Sequence, residues 1–208
     1  MKILSTSVRI LLLFAMSAPA FALPVTNVAL HGVVVLDGAG FKKYVEAPSA
    51  SLTDGIFLAD KNPWNKGTVD WSGVLDINKK PLPADLLDRI TITLAEKSLV
   101  SSVELQADTQ DIYTIQYRNA KNQWVSLTTI TTKNAGTAWP SGLGLGAATF
   151  TTPVLTDAFR ITASGDNNYA VSEFQAFGVT SVPEPEGYAM MLAGLGLMGF
   201  MLRRRRVA

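Results

Sequence analysis

The fold class predicted for this chain is all-β, an antiparallel β-sandwich, and three observations predict it. Apolar and polar residues alternate in several short segments between the two ends of the chain. Asn, Gly, Asp and Pro separate those segments, as turns between strands require. No long stretch there has the 3.6-residue period of an amphipathic helix.

Arg89–Leu94 puts Ile90, Ile92 and Leu94 on one face and Thr91 and Thr93 on the other, a half-buried strand. Val100–Leu105 carries Val103 and Leu105 in phase. Asp111–Tyr117 reads as the next strand. The turn Asn119–Asn122 leads into Trp124–Leu127. Ala158–Thr162 and Val171–Phe177 complete the set. Thr53–Ser72 is less periodic and reads as long loops. Lys133–Ala147 holds Gly136, Gly142, Gly144 and Gly146 and predicts another loop. No internal repeat is present.

The ends differ from the middle. Lys2 and Arg9 precede the apolar run Ile10–Met16, and Ala20-Phe21-Ala22 supplies a small-x-small cleavage site. Residues 1–22 therefore read as a signal peptide, cleaved before Leu23. At the other end, Pro183-Glu184-Pro185 is followed by sixteen uncharged residues, Gly187–Leu202, and by Arg203, Arg204, Arg205 and Arg206. As a helix, 187–202 spans roughly 24 Å at about 1.5 Å per residue, slightly short of a ~30 Å hydrocarbon core. It predicts a single transmembrane helix with the arginines held on the cytoplasmic side. Both ends agree on topology.

Between them lie roughly 160 residues, enough for one domain with its own core. The domain boundaries are 1–22, 23–179 and 180–208. Formal net charge is +1, but four of the basic residues are Arg203–Arg206, so the exported domain is mildly acidic and nucleic acid is a poor partner. The chain has no cysteine, so the domain is stabilised by its core, with or without a metal. One histidine, His31, excludes most Ser-His-Asp and multi-histidine metal arrangements.

The order Pro-Glu-Pro, short apolar span and arginine cluster resembles the PEP-CTERM sorting signal of bacteria with an outer membrane. That resemblance implies processing by an exosortase, a transient anchor in the inner membrane, and delivery to the cell surface or extracellular matrix. A second resemblance spans Leu52–Gly178. Ser51-Leu52-Thr53-Asp54-Gly55, Trp64, Trp71, the strand Asp111–Tyr117, Trp124 and the closing run Tyr169–Gly178 are together similar to the discoidin, or coagulation-factor C-type, family. The resemblance implies a galactose-binding-like jelly roll. Trp71–Ile77 is a loose counterpart of a segment the family often carries, and Pro81–Leu87 reads as an insertion.

From that family comes the expectation of a structural calcium held by Asp54 and Glu173, with Asp60 and Asn62 in the same loop; oxygen ligands suit the ion. The alternative is an Asp-Gly turn and an exposed strand glutamate. Trp139 and Trp64 stand in loops. Each either stacks on a sugar face or covers the open end of the core. Tyr169 adds a hydroxyl at a loop end. Trp71 and Trp124 match core positions of the family. Asp54, Asp60, Asp70, Asp108, Asp166 and Glu173 show no catalytic spacing, and solvated surface is the plain reading for most of them. The expected protein is a non-catalytic, polysaccharide-binding or matrix-structural β-sandwich. The rival is a small secreted glycan lyase or hydrolase on a jelly roll, which needs acids converging in one cleft.

Overall fold

The computed structural model describes residues 24–42, 47–59, 62–72, 88–132, 142–180 and 191–198. Among the described residues, eight strands carry the fold: β1 (Thr26–Asn27), β2 (Val33–Asp37), β3 (Val69–Ser72), β4 (Arg89–Asp108), β5 (Ile112–Arg118), β6 (Trp124–Thr131), β7 (Leu143–Ser164) and β8 (Asn168–Thr180). Every pairing is antiparallel, in the order β1-β8-β4-β7-β5-β6, with β2 added to β4 and β3 to β8.

The long strands make the sandwich. β4 pairs β2 through Arg89–Thr93 and β8 through Ser98–Ala107, so its halves belong to opposite layers. The register shifts after Thr93 and again after Val100. Such irregularities bend and twist a strand, and here they fold one sheet over itself. Ala95, Glu96 and Lys97, at the bend, are all exposed. They interrupt the alternation, which is why the sequence reads as two strands where the fold has one.

Inside the fold, Ile90, Ile92, Val103, Leu105, Tyr113, Ile115, Phe159, Ile161 and Phe174 are fully buried. The expected inward face of β4 is therefore the observed one. Phe159 on β7 meets Phe174 on β8 with ring centroids 5.2 Å apart. Burying such a side chain contributes about 1.5–3 kcal/mol.

Three expectations are corrected. β2 was not anticipated, because Val33-Val34-Val35-Leu36 has no polar alternation. β3 lies inside the segment read as loop, with Val69 and Trp71 buried. β7 begins at Leu143, so Gly144 and Gly146 are strand residues. A Cβ at Gly146 would come within 2.2 Å of Ile130 Cγ2. Gly146 marks a close approach of β7 to Ile130 rather than a loop.

Residues 191–198 are helical and exposed. The rest of the expected span, the signal peptide, Pro183, Glu184, Pro185 and Arg203–Arg206 lie outside the described residues. Among the described residues, no helix is long and apolar enough to cross a membrane.

Candidate functional site at one end of the sandwich

Three turns meet at one end of the sandwich: 109–111 between β4 and β5, 165–167 between β7 and β8, and 62–66 ahead of β3. Asp108, the last residue of β4, pairs with Leu143, the first of β7. Pro63 bridges Gly142 beside it. Asp111 Oδ1 accepts the Asp166 N–H at 2.9 Å, which ties two of the turns together. That bond needs Gly165, because a Cβ there would lie 1.6 Å from Asp111 Oδ1 and the backbone sits at φ +158. Asn167 follows with φ 75, a left-handed turn residue.

A cavity of about 200 Å³ opens between these turns, lined by Trp64, Asp108, Gln110, Asp166 and Asn168. Gln110, Asp166 and Asn168 are exposed, and Trp64 is half-buried. An indole beside amide and carboxylate groups is a surface that can stack on one face of a ring and hydrogen-bond its edge. Trp64 is placed by its own turn. Thr68 Oγ1 donates to the Trp64 carbonyl at 2.8 Å, and Asn62 Nδ2 donates to the Lys66 carbonyl at 2.5 Å.

Beneath the cavity lies a buried polar network. Asp108 and Asp111 are 4% and 0% exposed. Tyr113 Oη donates to Asp108 Oδ1 or the Ala170 carbonyl, each at 3.0 Å, and accepts the Ala170 N–H at 3.2 Å. Burial, reinforced by the Asp111 charge, pushes the Asp108 carboxyl up to about 8. Burial also raises Asp111 and lifts the Tyr113 hydroxyl well above its ordinary value. Asp111 Oδ2 is buried without a hydrogen-bond partner, and burial next to a second carboxyl favours the protonated form of Asp108. Thr132 Oγ1 completes the floor by donating to the Asp108 carbonyl.

A second polar cluster lies under the 53–59 segment. Glu173 is fully buried; its Oε1 accepts the Gly55 N–H at 3.0 Å, and its Oε2 has no hydrogen-bond partner among the described residues. Burial pushes its carboxyl up to about 8; the Gln175 side chain and the Gly55 N–H act in the opposite sense, and the adjacent Asp54 adds to the rise. Asp54 Oδ1 accepts the Ile56 N–H at 2.8 Å, so the Asp-Gly turn forms as expected. Gln106 fastens the same segment, accepting from Leu58 N at 2.8 Å and donating to Leu58 O at 3.0 Å. Asp54 and Glu173 are two adjacent carboxyl groups, one with an orphaned buried oxygen, and among the described residues no third His, Cys, Asp or Glu joins them in a metal-holding group. The glutamate is buried, not an exposed strand residue.

The structure sorts the other sequence-based residues. Trp64 lines the cavity. Trp139 lies outside the described residues; Thr132 and Gly142, on either side of that segment, both lie at this end. Tyr169 is corrected: it is 6% exposed and stacks at 5.4 Å on Trp71, because β8 continues through it. Trp71 is core, as expected. Trp124 is not; it is half-buried on the edge strand β6, with the Arg160 guanidinium 4.0 Å from its ring centroid. Asn62 is turned to the carbonyls of its own turn, away from the Asp54 loop, and Asp60 is outside the described residues. Asp108 is not solvated surface.

Sequence reasoning missed Asp111, Gln110 and Asn168 as members of one site. A signal was present. Tyr113 falls in the inward phase of its strand, and a buried tyrosine hydroxyl requires a polar partner nearby, which the Asp108–Asp111 turn supplies.

Residues 181–206 match the PEP-CTERM protein-sorting motif. The chain carries a PEP-CTERM sorting signal. Such a signal marks an exported protein. The β-sandwich of this PEP-CTERM chain is similar to the lectin domain of lectinolysin complexed with Lewis B antigen, at 10% identity and TM-score 0.51, over 74% of this chain and 98% of that one. A variant of the same lectin domain, complexed with Lewis b, gives 12% identity and TM-score 0.52, over 76% and 100%. The family 32 carbohydrate-binding module of C. perfringens NanJ, in complex with galactose, gives 14% and 0.47, over 74% and 99%. At such identities the likeness is one of fold, the discoidin-like β-sandwich. No curated protein matches the chain.

Proposed function

We propose that the exported domain is a non-catalytic glycan-binding module whose site is the cavity between the three turns. The observation that carries this is the lining itself. Trp64 offers an apolar ring face, while Gln110, Asp166 and Asn168 offer exposed donors and acceptors around it. That is the composition a pyranose needs, with C–H groups on one face and hydroxyls at the rim. Two fold neighbours, both solved with a Lewis antigen, support the same reading. Trp139, in the segment that joins Thr132 to Gly142, adds a second stacking surface in this proposal.

The Asp108–Asp111 pair supports binding rather than hydrolysis. A general acid must reach the bond it protonates. Asp111 is fully buried and committed to the Asp166 N–H, while Asp108 is held by Tyr113. In this proposal Asp108, which lines the cavity but is 4% exposed, belongs to its floor with Asp111 rather than to a catalytic pair.

Asp54 and Glu173 hold calcium in this proposal. The ion takes the place of the proton that Glu173 otherwise needs and fixes the 53–59 segment on β8. An exosortase processes the C-terminal signal after export, and the domain is delivered to the cell surface or extracellular matrix, where it binds polysaccharide. The test is a glycan array probed with the purified protein and with Trp64→Ala and Asp166→Ala. Loss of the same glycan signals in both variants, with unchanged folding, is the expected result. Full binding by both variants removes the cavity from the account.

A further inference from the structure

We propose a second binding surface, the outer face of the β2-β4-β7-β5-β6 layer, for an anionic, carboxylate-bearing polysaccharide, with Arg160 and Trp124 at its centre. The surface is separate from the cavity between the turns. Strand register builds it. Val35, Thr91, Arg160, Gln116 and Ser126 form one outward row across five strands. Arg118 and Trp124 pair beside that row. All seven are partly or fully exposed. Neighbouring strands lie about 4.8 Å apart, so the row is a flat strip of side chains.

The charges on this strip are unequally matched. Arg89 pairs with Asp37 at 2.6 Å, and Arg118 with Asp157 at 2.8 Å. Arg160 makes no ion pair among the described residues. Its Nε is buried and without a hydrogen-bond partner, and its guanidinium lies 4.0 Å from the centroid of the Trp124 ring. Burial and the nearby Arg89 charge oppose its charged form, and the Asp37 charge acts in the opposite sense. A planar cation held on an indole and short of an acceptor is a receptor for a carboxylate, which it can engage through two parallel N–H···O bonds. The exposed part of the indole then meets the C–H face of the same sugar ring, and Thr91, Gln116 and Ser126 offer hydroxyl and amide partners beside it.

The shape argues for a polymer. A flat strip encloses no small molecule, so affinity must come from repeated contacts along a chain. The charge argues against nucleic acid, because one unpaired arginine on a mildly acidic domain cannot neutralise a run of phosphates.

The experiment measures binding of the purified protein to immobilised polygalacturonate and to its methyl-esterified form. Binding is expected to the acid and not the ester, and to weaken with salt. Arg160→Gln and Trp124→Ala should each weaken it at least about tenfold, with thermal midpoints near the original. Arg160→Lys should restore part of the loss, and Trp64→Ala should leave polygalacturonate binding intact. Absence of binding to the acid, equal binding of acid and ester, or unchanged binding by Arg160→Gln overturns the proposal. Loss of binding in Trp64→Ala alone reassigns the polymer to the cavity.

Discussion

Asp108 and Asp111 are buried together at the end of the sandwich, with the Tyr113 hydroxyl bonded to Asp108 and the Asp166 N–H bonded to Asp111. The pair is held there by chain geometry. Gly165 leaves the space that Asp111 fills, and Tyr113 on β5 and Thr132 just after β6 bond Asp108.

This pairing sets a pH dependence. The folded-state Asp108 carboxyl is raised from 3.8 to about 8, so the folded protein binds a proton that the unfolded chain has already lost. The resulting stability is fully present below the unfolded value and is lost as pH rises through about 8, at about 1.4 kcal/mol per pH unit between them. The thermal midpoint, measured with chelator, should therefore fall between pH 5 and pH 8. Asp108→Asn keeps a donor toward Asp111 and an acceptor for Tyr113 without a titrating proton. It should reduce that decline, with Glu173, whose carboxyl is also raised to about 8, carrying the remainder, and a slope equal to the original would dissociate Asp108 from it.

Gly165→Ala tests the same geometry from the other strand. The new methyl group would lie 1.6 Å from Asp111 Oδ1 at a backbone angle that side chains rarely adopt. The expected cost is about 1–3 kcal/mol, read as a lower denaturant midpoint. An unchanged midpoint would show that Asp111 does not depend on this turn.

Much of the fold was legible because burial writes itself as alternation. Ile90, Ile92 and Leu94, or Tyr113 and Ile115, fall inward because a strand turns every second side chain to the same face. β8 was legible as a strand but not as a strand covered on both faces. Ser172 and Glu173 look solvent-facing until the 53–59 segment, far away in sequence, lies over them. β7 was half hidden because glycine serves loops and close packing alike, and Gly146 serves the second. Of the site, Trp64 was legible as an aromatic out of phase. Asp108, Asp111 and Asp166 were not, since two strand turns must meet before their spacing exists.

Calcium binding has its own readout. If Asp54 and Glu173 hold the ion in the folded state alone, a hundredfold excess over the dissociation constant adds about 2.7 kcal/mol. Melting with calcium should then exceed melting with chelator, and Glu173→Gln should abolish the difference. Equal midpoints in the original protein would leave the buried Glu173 protonated and the metal without a role.

Trp139→Ala separates ligand contact from folding at the end of the sandwich. A contact residue should leave the thermal midpoint nearly unchanged while glycan binding weakens. A core tryptophan would instead lose about 3–5 kcal/mol on truncation. A large fall in the midpoint would place Trp139 in the core and leave Trp64 as the stacking residue.

The sorting signal makes the remaining prediction. A membrane protease-transpeptidase needs an extended substrate strand with unpaired backbone, and Pro183 and Pro185 favour that conformation while withholding donors. Glu184 keeps the segment in water. In the proposed topology, Gly187, Gly194, Gly196 and Gly199 would allow close packing of the short apolar segment against another helix, and Arg203–Arg206 would hold its far end on the cytoplasmic side. Replacing Pro183, Glu184 and Pro185 with alanine leaves the apolar segment and the arginines untouched. Export and membrane insertion should continue, while removal of the tail should stop. A larger, membrane-associated form should then accumulate in fractionated cells and be visible on a gel. Processing and release at the original rate would reduce Pro-Glu-Pro to a linker and move recognition to the apolar segment or the arginines.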